Sequence, residues 1–133
     1  MNWLTRLLDV PFVLLLSTSR QQAELEIAGK PAFASQTGDE VCIGLVLAAG
    51  TDMHAACLML AAASDTITAH DALALMDGTP VLWRRYGSVA EVAATNSQRL
   101  RERMETHLAL ARCLRTSTGG RSRLTSPTAG QFA

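Results

Sequence analysis

Apolar residues recur at three- and four-residue steps near the end of the chain: Val89, Val92, Ala93, Leu100, Met104, Leu108, Ala111 and Leu114. That spacing predicts one amphipathic helix of about 28 residues, roughly 42 Å long at about 1.5 Å per residue. Ser88 with Glu91 three residues on is a capping box that starts it: the hydroxyl accepts from the N3 amide and the carboxylate reaches back to the Ser88 amide. Upstream, residues 72–76 and 81–86 are two short strands joined by Asp77-Gly78-Thr79-Pro80. Gly78 tolerates a positive φ, and Pro80 begins a strand where no ladder N–H is needed. Residues 71–115 therefore read as a hairpin feeding a long helix. It is a packing element without chemistry, so function is to be sought in surfaces.

The front of the chain supplies the rest of a sheet. Asn2 caps a short helix with Trp3, Leu4, Leu7 and Leu8 on one side, and Pro11 ends it. Residues 12–17 are a continuous apolar run, which predicts a strand covered on both faces. Ala23, Leu25 and Ile27 alternate with Gln22, Glu24 and Glu26, which predicts a half-buried strand. Gly29-Lys30-Pro31 breaks or bulges it, and residues 32–36 resume pairing. Residues 41–48 alternate again, with Val41, Ile43, Leu45 and Leu47 on one face. Gly44, lacking a side chain, marks a bulge or a close approach by another element. Thr51 or Asp52 caps the next helix, whose stripe is Met53, Ala56, Cys57 and Leu60. So alanine-rich a helix is either central or a helix–helix contact. The order is helix, three strands, helix, two strands, long helix. Helices do not alternate with strands, so the prediction is an α+β sandwich with a mostly antiparallel twisted sheet and helices packed on it. Residues 1–115 form one domain, and 116–133, with a stop at residues 116–120, form a flexible tail.

Composition narrows the function. A chain of 133 residues, 48% of them hydrophobic, suits one modest core. The net charge is zero, which argues against a nucleic-acid partner. The distribution is uneven: residues 1–83 hold three basic and nine acidic side chains, and residues 84–133 hold nine basic and three acidic. Solvated faces that pair within the molecule or across a dimer account for this. Cys42, Cys57 and Cys113 have apolar neighbours and cannot all pair, which predicts buried free thiols in a reducing cytoplasm. No apolar run reaches a membrane span of roughly 18 residues. The apolar run to Leu16 is interrupted by Asp9 and Pro11 and lacks a small-x-small cleavage site, so no secretory leader is expected.

Candidate chemistry is thin. His54 and Cys57 lie three apart on one helix, with His70 and Asp71 as the nearest further metal ligands. Glu24 and Glu26 share a strand face, which an exposed sheet surface explains without acid–base work. Neither a G-x-S-x-G turn nor a phosphate-binding glycine loop occurs. Arg99, Arg101, Arg103, Arg112 and Arg115 line the last helix, but Glu102 and Glu105 intersperse them and the aromatics are scattered. His107 lies beside the stripe as a boundary histidine. The expectation is a binding protein, not an enzyme, with no cofactor. The apolar surplus at the front and on the second helix points to a dimer interface or a groove for an apolar peptide.

The element order, with the opening Leu4-Thr5-Arg6-Leu7-Leu8-Asp9-Val10-Pro11-Phe12-Val13-Leu14, resembles class I type III secretion chaperones, the Tir-chaperone family. The ending from Val89 to Leu114 is similar to that family's long terminal helix. The resemblance covers residues 1 to about 115. It implies a small cytoplasmic bacterial dimer, without nucleotide hydrolysis, that holds an extended segment of a secreted effector through apolar patches and sheet-edge pairing. It implies a partner-binding patch of Trp3, Leu4, Leu7, Leu8, Phe12, Leu14 and Leu16. It also implies a homodimer or heterodimer contact at Met53, Ala56, Cys57 and Leu60. A regulatory protein that binds another chaperone-like subunit is the alternative, followed by a small metal-dependent α+β enzyme.

Overall fold

Period-two alternation in residues 22–27 and 41–47, with the apolar run at 12–17 and the 71–88 hairpin, marks the strands, and a computed structural model assembles six strands into one antiparallel sheet of order β1-β2-β3-β4-β6-β5. It describes residues 2–20, 22–48, 50–62 and 71–125. The elements are α1 (Asn2–Leu8), β1 (Val13–Ser19), β2 (Gln22–Ile27), β3 (Lys30–Thr37), β4 (Glu40–Val46), α2 (Met53–Ala62), β5 (Asp71–Met76), β6 (Thr79–Ser88), α3 (Val89–Ala94) and α4 (Ser97–Thr125). The class is α+β, as the pattern predicts. Four strands precede α2, however, where the pattern predicts three.

The additional strand comes from Gly29-Lys30-Pro31, which does not interrupt a strand but turns one into the next. Ala28 (φ 50°) and Gly29 (φ 78°) form a two-residue hairpin loop closed by Ile27 and Lys30. In such a hairpin the closing pair is hydrogen-bonded and the next pair, Glu26–Pro31, is not. Pro31 therefore points its missing N–H away from β2, and pairing to β4 begins only at Ala32. The second tight hairpin, Asp77 (φ 51°) and Gly78 (φ 79°), lies where the Asp-Gly signal places it.

One sheet face meets the helices. Leu25, Ile43, Leu45 and Leu82 from the strands pack with Trp3 and Leu7 of α1 and with Leu100 and Met104 of α4. The indole of Trp3 is fully buried, and its Nε1–H donates to Gln36 Oε1 at 2.9 Å, so the polar end of the ring is satisfied. On the other face, Gly44 allows β4 and β6 to carry large side chains side by side. A Cβ there would stand 2.6 Å from Val81 Cγ1 and 2.9 Å from the Trp83 ring, so the glycine marks a close approach.

The predicted single long helix is two helices. Ser88 caps α3 with the full reciprocal box: Glu91 N–H donates to Ser88 Oγ at 3.1 Å, and Ser88 N–H donates to Glu91 Oε1 at 2.8 Å. The helix stops at Thr95, which is extended (φ −79°, ψ 137°). Asn96 then caps α4 by accepting the Arg99 N–H at 2.8 Å. The physical reason is the run Thr95-Asn96-Ser97: these side chains hydrogen-bond the backbone locally and favour caps over helix interiors. At its far end α4 runs on through residues 116–120, where a stop is expected, to Thr125. The rest of the expected tail, residues 126–133, lies outside the described residues.

His107 is a further correction. It occupies the α4 stripe between Met104 and Ala111, only 1% exposed, and is not a boundary residue. Its Nε2 lies 3.0 Å from the Leu82 carbonyl oxygen, which only accepts, so Nε2 carries the proton. Nδ1 then accepts from the Tyr86 hydroxyl at 3.1 Å. Arg103 lies over the Tyr86 ring at 4.7 Å and donates to the Tyr86 carbonyl at 2.6 Å. A buried polar seam thus fastens α4 to β6. Burial pushes the imidazole pKa down to about 4; the Arg84 charge adds to this, and the Leu82 carbonyl opposes it.

Candidate partner-binding edge

The sheet ends in two edge strands, β1 and β5, each paired on one side among the described residues. Residues 12–17 are apolar enough to be covered on both faces, yet β1 is covered on neither beyond Val13. Leu14, Leu15 and Leu16 are 56%, 43% and 62% exposed. The register explains how three consecutive leucines all reach solvent. Leu14 stands opposite Glu26, on the face away from the helices. Leu15 stands opposite the buried Leu25, on the core face, at a rim the helices do not reach. Between Leu15 and Ser17 the register shifts, which makes Leu16 the extra residue of a bulge. Ser17 Oγ–H then donates to Glu24 Oε1 at 2.8 Å and re-anchors the strand.

The edge is held firmly from behind. Ala28 N–H donates to the Phe12 carbonyl at 2.9 Å, Val13 N–H donates to the Val10 carbonyl at 3.1 Å, and Phe12 packs against the core. Arg6 of α1 donates through Nε to the Ala93 carbonyl at the end of α3 at 2.9 Å. The first helix is thereby fixed between the sheet and α3, leaving β1 as a preformed rim.

The structure sorts the residues expected at the partner patch. Trp3, Leu4 and Leu7 are 0%, 7% and 0% exposed, so their side chains fill the core and offer no surface. Leu8 and Phe12 are partly buried against the same core. Leu14 and Leu16 are open, and Leu15 between them joins the patch. Of the residues expected at a dimer contact, Ala56 is fully buried, Met53 and Leu60 are half-buried, and Cys57 is exposed. Asp52 caps α2 by accepting the Ala55 N–H at 3.1 Å, and the helix turns Ala55 and Ala56 inward. Its open side carries Cys57 with Leu58 (52%) and Met59 (37%). On β5, Leu75 is 59% exposed. The expectation of buried thiols is corrected: the three cysteines are free, but Cys42 is half-buried and Cys57 and Cys113 are exposed, because each lies off the core-facing side of its element.

The metal alternative gains no geometry among the described residues. Among the described residues no three His, Cys, Asp or Glu side chains gather as a metal site, and His70 lies outside them. A buried charged contact joins two strands: Asp71 pairs with Arg84 across β5 and β6 at 3.3 Å, with the Asp71 side chain fully buried. The arginines of α4 diverge. Arg101 pairs with Glu105 at 3.5 Å and lies over Phe12, whereas Arg103 turns to Tyr86. Among the described residues no helix is long and apolar enough to cross a membrane. No protein-family model matches the chain, and no curated protein is significantly similar to it.

Proposed function

We propose that this chain is a small cytoplasmic chaperone of the type III secretion kind, which holds an extended segment of a secreted effector along the β1 edge and keeps it soluble and secretion-competent. The observation that carries the reading is the apolar edge: three adjacent leucines exposed on a strand with one unpaired side. An extended peptide added there completes the ladder, and its alternate side chains cover Leu14 on one face and Leu15 on the other. Covering three half-exposed leucines contributes on the order of 3 kcal/mol, or roughly 100-fold in affinity. The working form in this reading is a homodimer or heterodimer, with the open side of α2 at the contact. The protein acts by binding, without catalysis or a cofactor.

Hydrogen exchange on the complex with whatever protein co-purifies from the source cell tests this. The amides of β1 gain protection in the complex, and the double variant Leu14→Asp/Leu16→Asp loses binding while keeping the far-UV spectrum of the parent. Unchanged exchange in β1 with a bound partner sinks the proposal. So does a strictly monomeric particle with no partner.

A further inference from the structure

We infer that the cleft where β6 turns into α3 and α4 begins is a second binding site, for the carboxylates of an acidic peptide segment on a protein partner. The cleft has a volume of about 700 Å³, and Arg85, Arg99 and Arg103 line it with the break at Thr95 and Asn96. That volume is in the range of binding clefts and much larger than a single small oxyanion. Gly87 opens it: the chain passes there with φ 125°, so strand gives way to helix without a side chain in the corner.

The argument rests on where the charges stand. Arg85 is paired to Glu40, and Glu91, which also lines the cleft, has its carboxylate engaged by the Ser88 amide. Arg103 is fixed by the Tyr86 ring and by the Tyr86 and Arg85 carbonyls. Arg99 has no ion pair among the described residues, and it is exposed. Its position is also the wrong one for helix stability. With Asn96 as cap, Arg99 is the third residue of α4, where the helix macrodipole and the capping box both favour a carboxylate. The first turn of α4 contains no acid. Arg99 also stands four residues before Arg103, a like-charge pair on one helix face. Two local rules are broken at one residue, and nothing among the described residues compensates. Such inconsistencies concentrate at functional sites.

The cleft favours carboxylates over nucleic acid. Its one aromatic residue, Tyr86, is 1% exposed and covered by Arg103, so no base can stack. Arg101 leaves for Glu105 and Phe12, so the arginines form no continuous stripe along which a phosphate backbone could run. The guanidinium fork of Arg99 matches a carboxylate with two parallel N–H donors.

The test uses the full chain and a fluorescein-labelled hexaglutamate peptide at low salt, with hexalysine as control, read by fluorescence anisotropy. Hexaglutamate binds, hexalysine does not, and Arg99→Glu weakens binding by about tenfold or more. Arg99→Glu creates the favoured capping pattern at the start of α4, so its melting temperature stays at or above the parent's and lost binding is not lost folding. The Leu14→Asp/Leu16→Asp variant binds hexaglutamate like the parent, which separates this site from the β1 edge. Absent binding overturns the inference, as does equal binding by Arg99→Glu. Inorganic phosphate competing as effectively as the peptide also overturns it and assigns the cleft to small oxyanions. Salt-sensitive self-association lost in Arg99→Glu, without peptide binding, overturns it in favour of a second copy of the chain, whose first 83 residues are acidic.

Discussion

Lowering the pH from 7.5 to 5 titrates His107 in the unfolded chain but not in the folded one. The unfolded imidazole takes its proton near 6.5, while burial holds the folded one at about 4. Between these values the unfolded state binds one proton more, so stability rises with pH across the window and falls as pH drops through it. Each pH unit is worth about 1.4 kcal/mol, so the loss reaches about 2 kcal/mol at pH 5 and about 3 kcal/mol at pH 4. The buried setting makes the full effect relevant, since His107 is only 1% exposed and both ring nitrogens are engaged. A proton added to Nδ1 turns an acceptor into a donor facing the Tyr86 hydroxyl, and places a charge beside Arg84.

Urea denaturation of the parent and of His107→Gln, at one protein concentration and several pH values from 7.5 to 5, reads this directly. The glutamine loses some packing at every pH but carries no titrating proton. The parent therefore loses about 2 kcal/mol more than the variant over the window. His54 is exposed and common to both chains, so it cancels. Parallel loss in the two proteins refutes the reasoning, as does an NMR titration that places the folded His107 imidazole near 6.5.

Other expectations rest on separate contacts. Gly44→Leu drives a Cβ into Val81 and the Trp83 ring and destabilises the fold by about 1–3 kcal/mol in a denaturation curve, whereas substitution at open Gly38 avoids this clash. Ser88→Ala removes the acceptor for the Glu91 amide and costs about 1 kcal/mol. Asn96→Ala removes the α4 cap and costs about the same, with the larger change in exchange protection at the first turn of α4. Arg84→Ala takes a charged partner from the buried Asp71 carboxylate and lowers the urea midpoint, and joint replacement of both by apolar residues recovers much of the loss.

The class of the fold was legible because its sheet rests on period-two alternation in residues 22–27 and 41–47, and on the Asp77-Gly78 turn. What escaped had local causes. Ala28-Gly29 forms a hairpin, but Pro31 beside it looks like a breaker until the hydrogen-bonding phase of the turn is known. The helix break at residues 95–96 carries its signal in Thr95-Asn96-Ser97, where the apolar stripe skips from Ala93 to Leu100. His107 lies three after Met104 and four before Ala111, on the stripe by spacing alone. It is hidden because a histidine is weighed by its polarity and not by the partners waiting at Leu82 and Tyr86. At the candidate edge the apolar count of residues 12–17 was informative, but exposure was not. Trp3, Leu4 and Leu7 are large apolar residues like Leu14, Leu15 and Leu16, and topology separates them. The first three face the sheet from a helix above it, and the last three lie on the strand that the sheet leaves at its border.

That border position bears on how the molecule avoids aggregation. Edge strands in isolated domains are protected by charges, prolines, short length or a cover. β1 reads Val-Leu-Leu-Leu-Ser-Thr-Ser, with no charge and no proline, and its one protective feature is the bulge at Leu16. β5 reads Asp-Ala-Leu-Ala-Leu-Met, and its single charge, Asp71, is turned to Arg84 and withdrawn from the edge. Among the described residues both borders therefore lack the devices that keep a solitary sheet apart from its neighbours. Under the proposed function a partner segment on β1 would supply the missing protection at one border, and association through β5, beyond the α2 contact, would supply it at the other. On this argument the chain without partners forms concentration-dependent assemblies, and a charge on the outer face of β1 at Leu14 suppresses those that arise from that border. Light scattering across a dilution series separates the two borders: Leu14→Asp removes one mode of association, Leu75→Asp the other. If neither substitution changes the association, the edges are silent and the binding reading loses its physical basis.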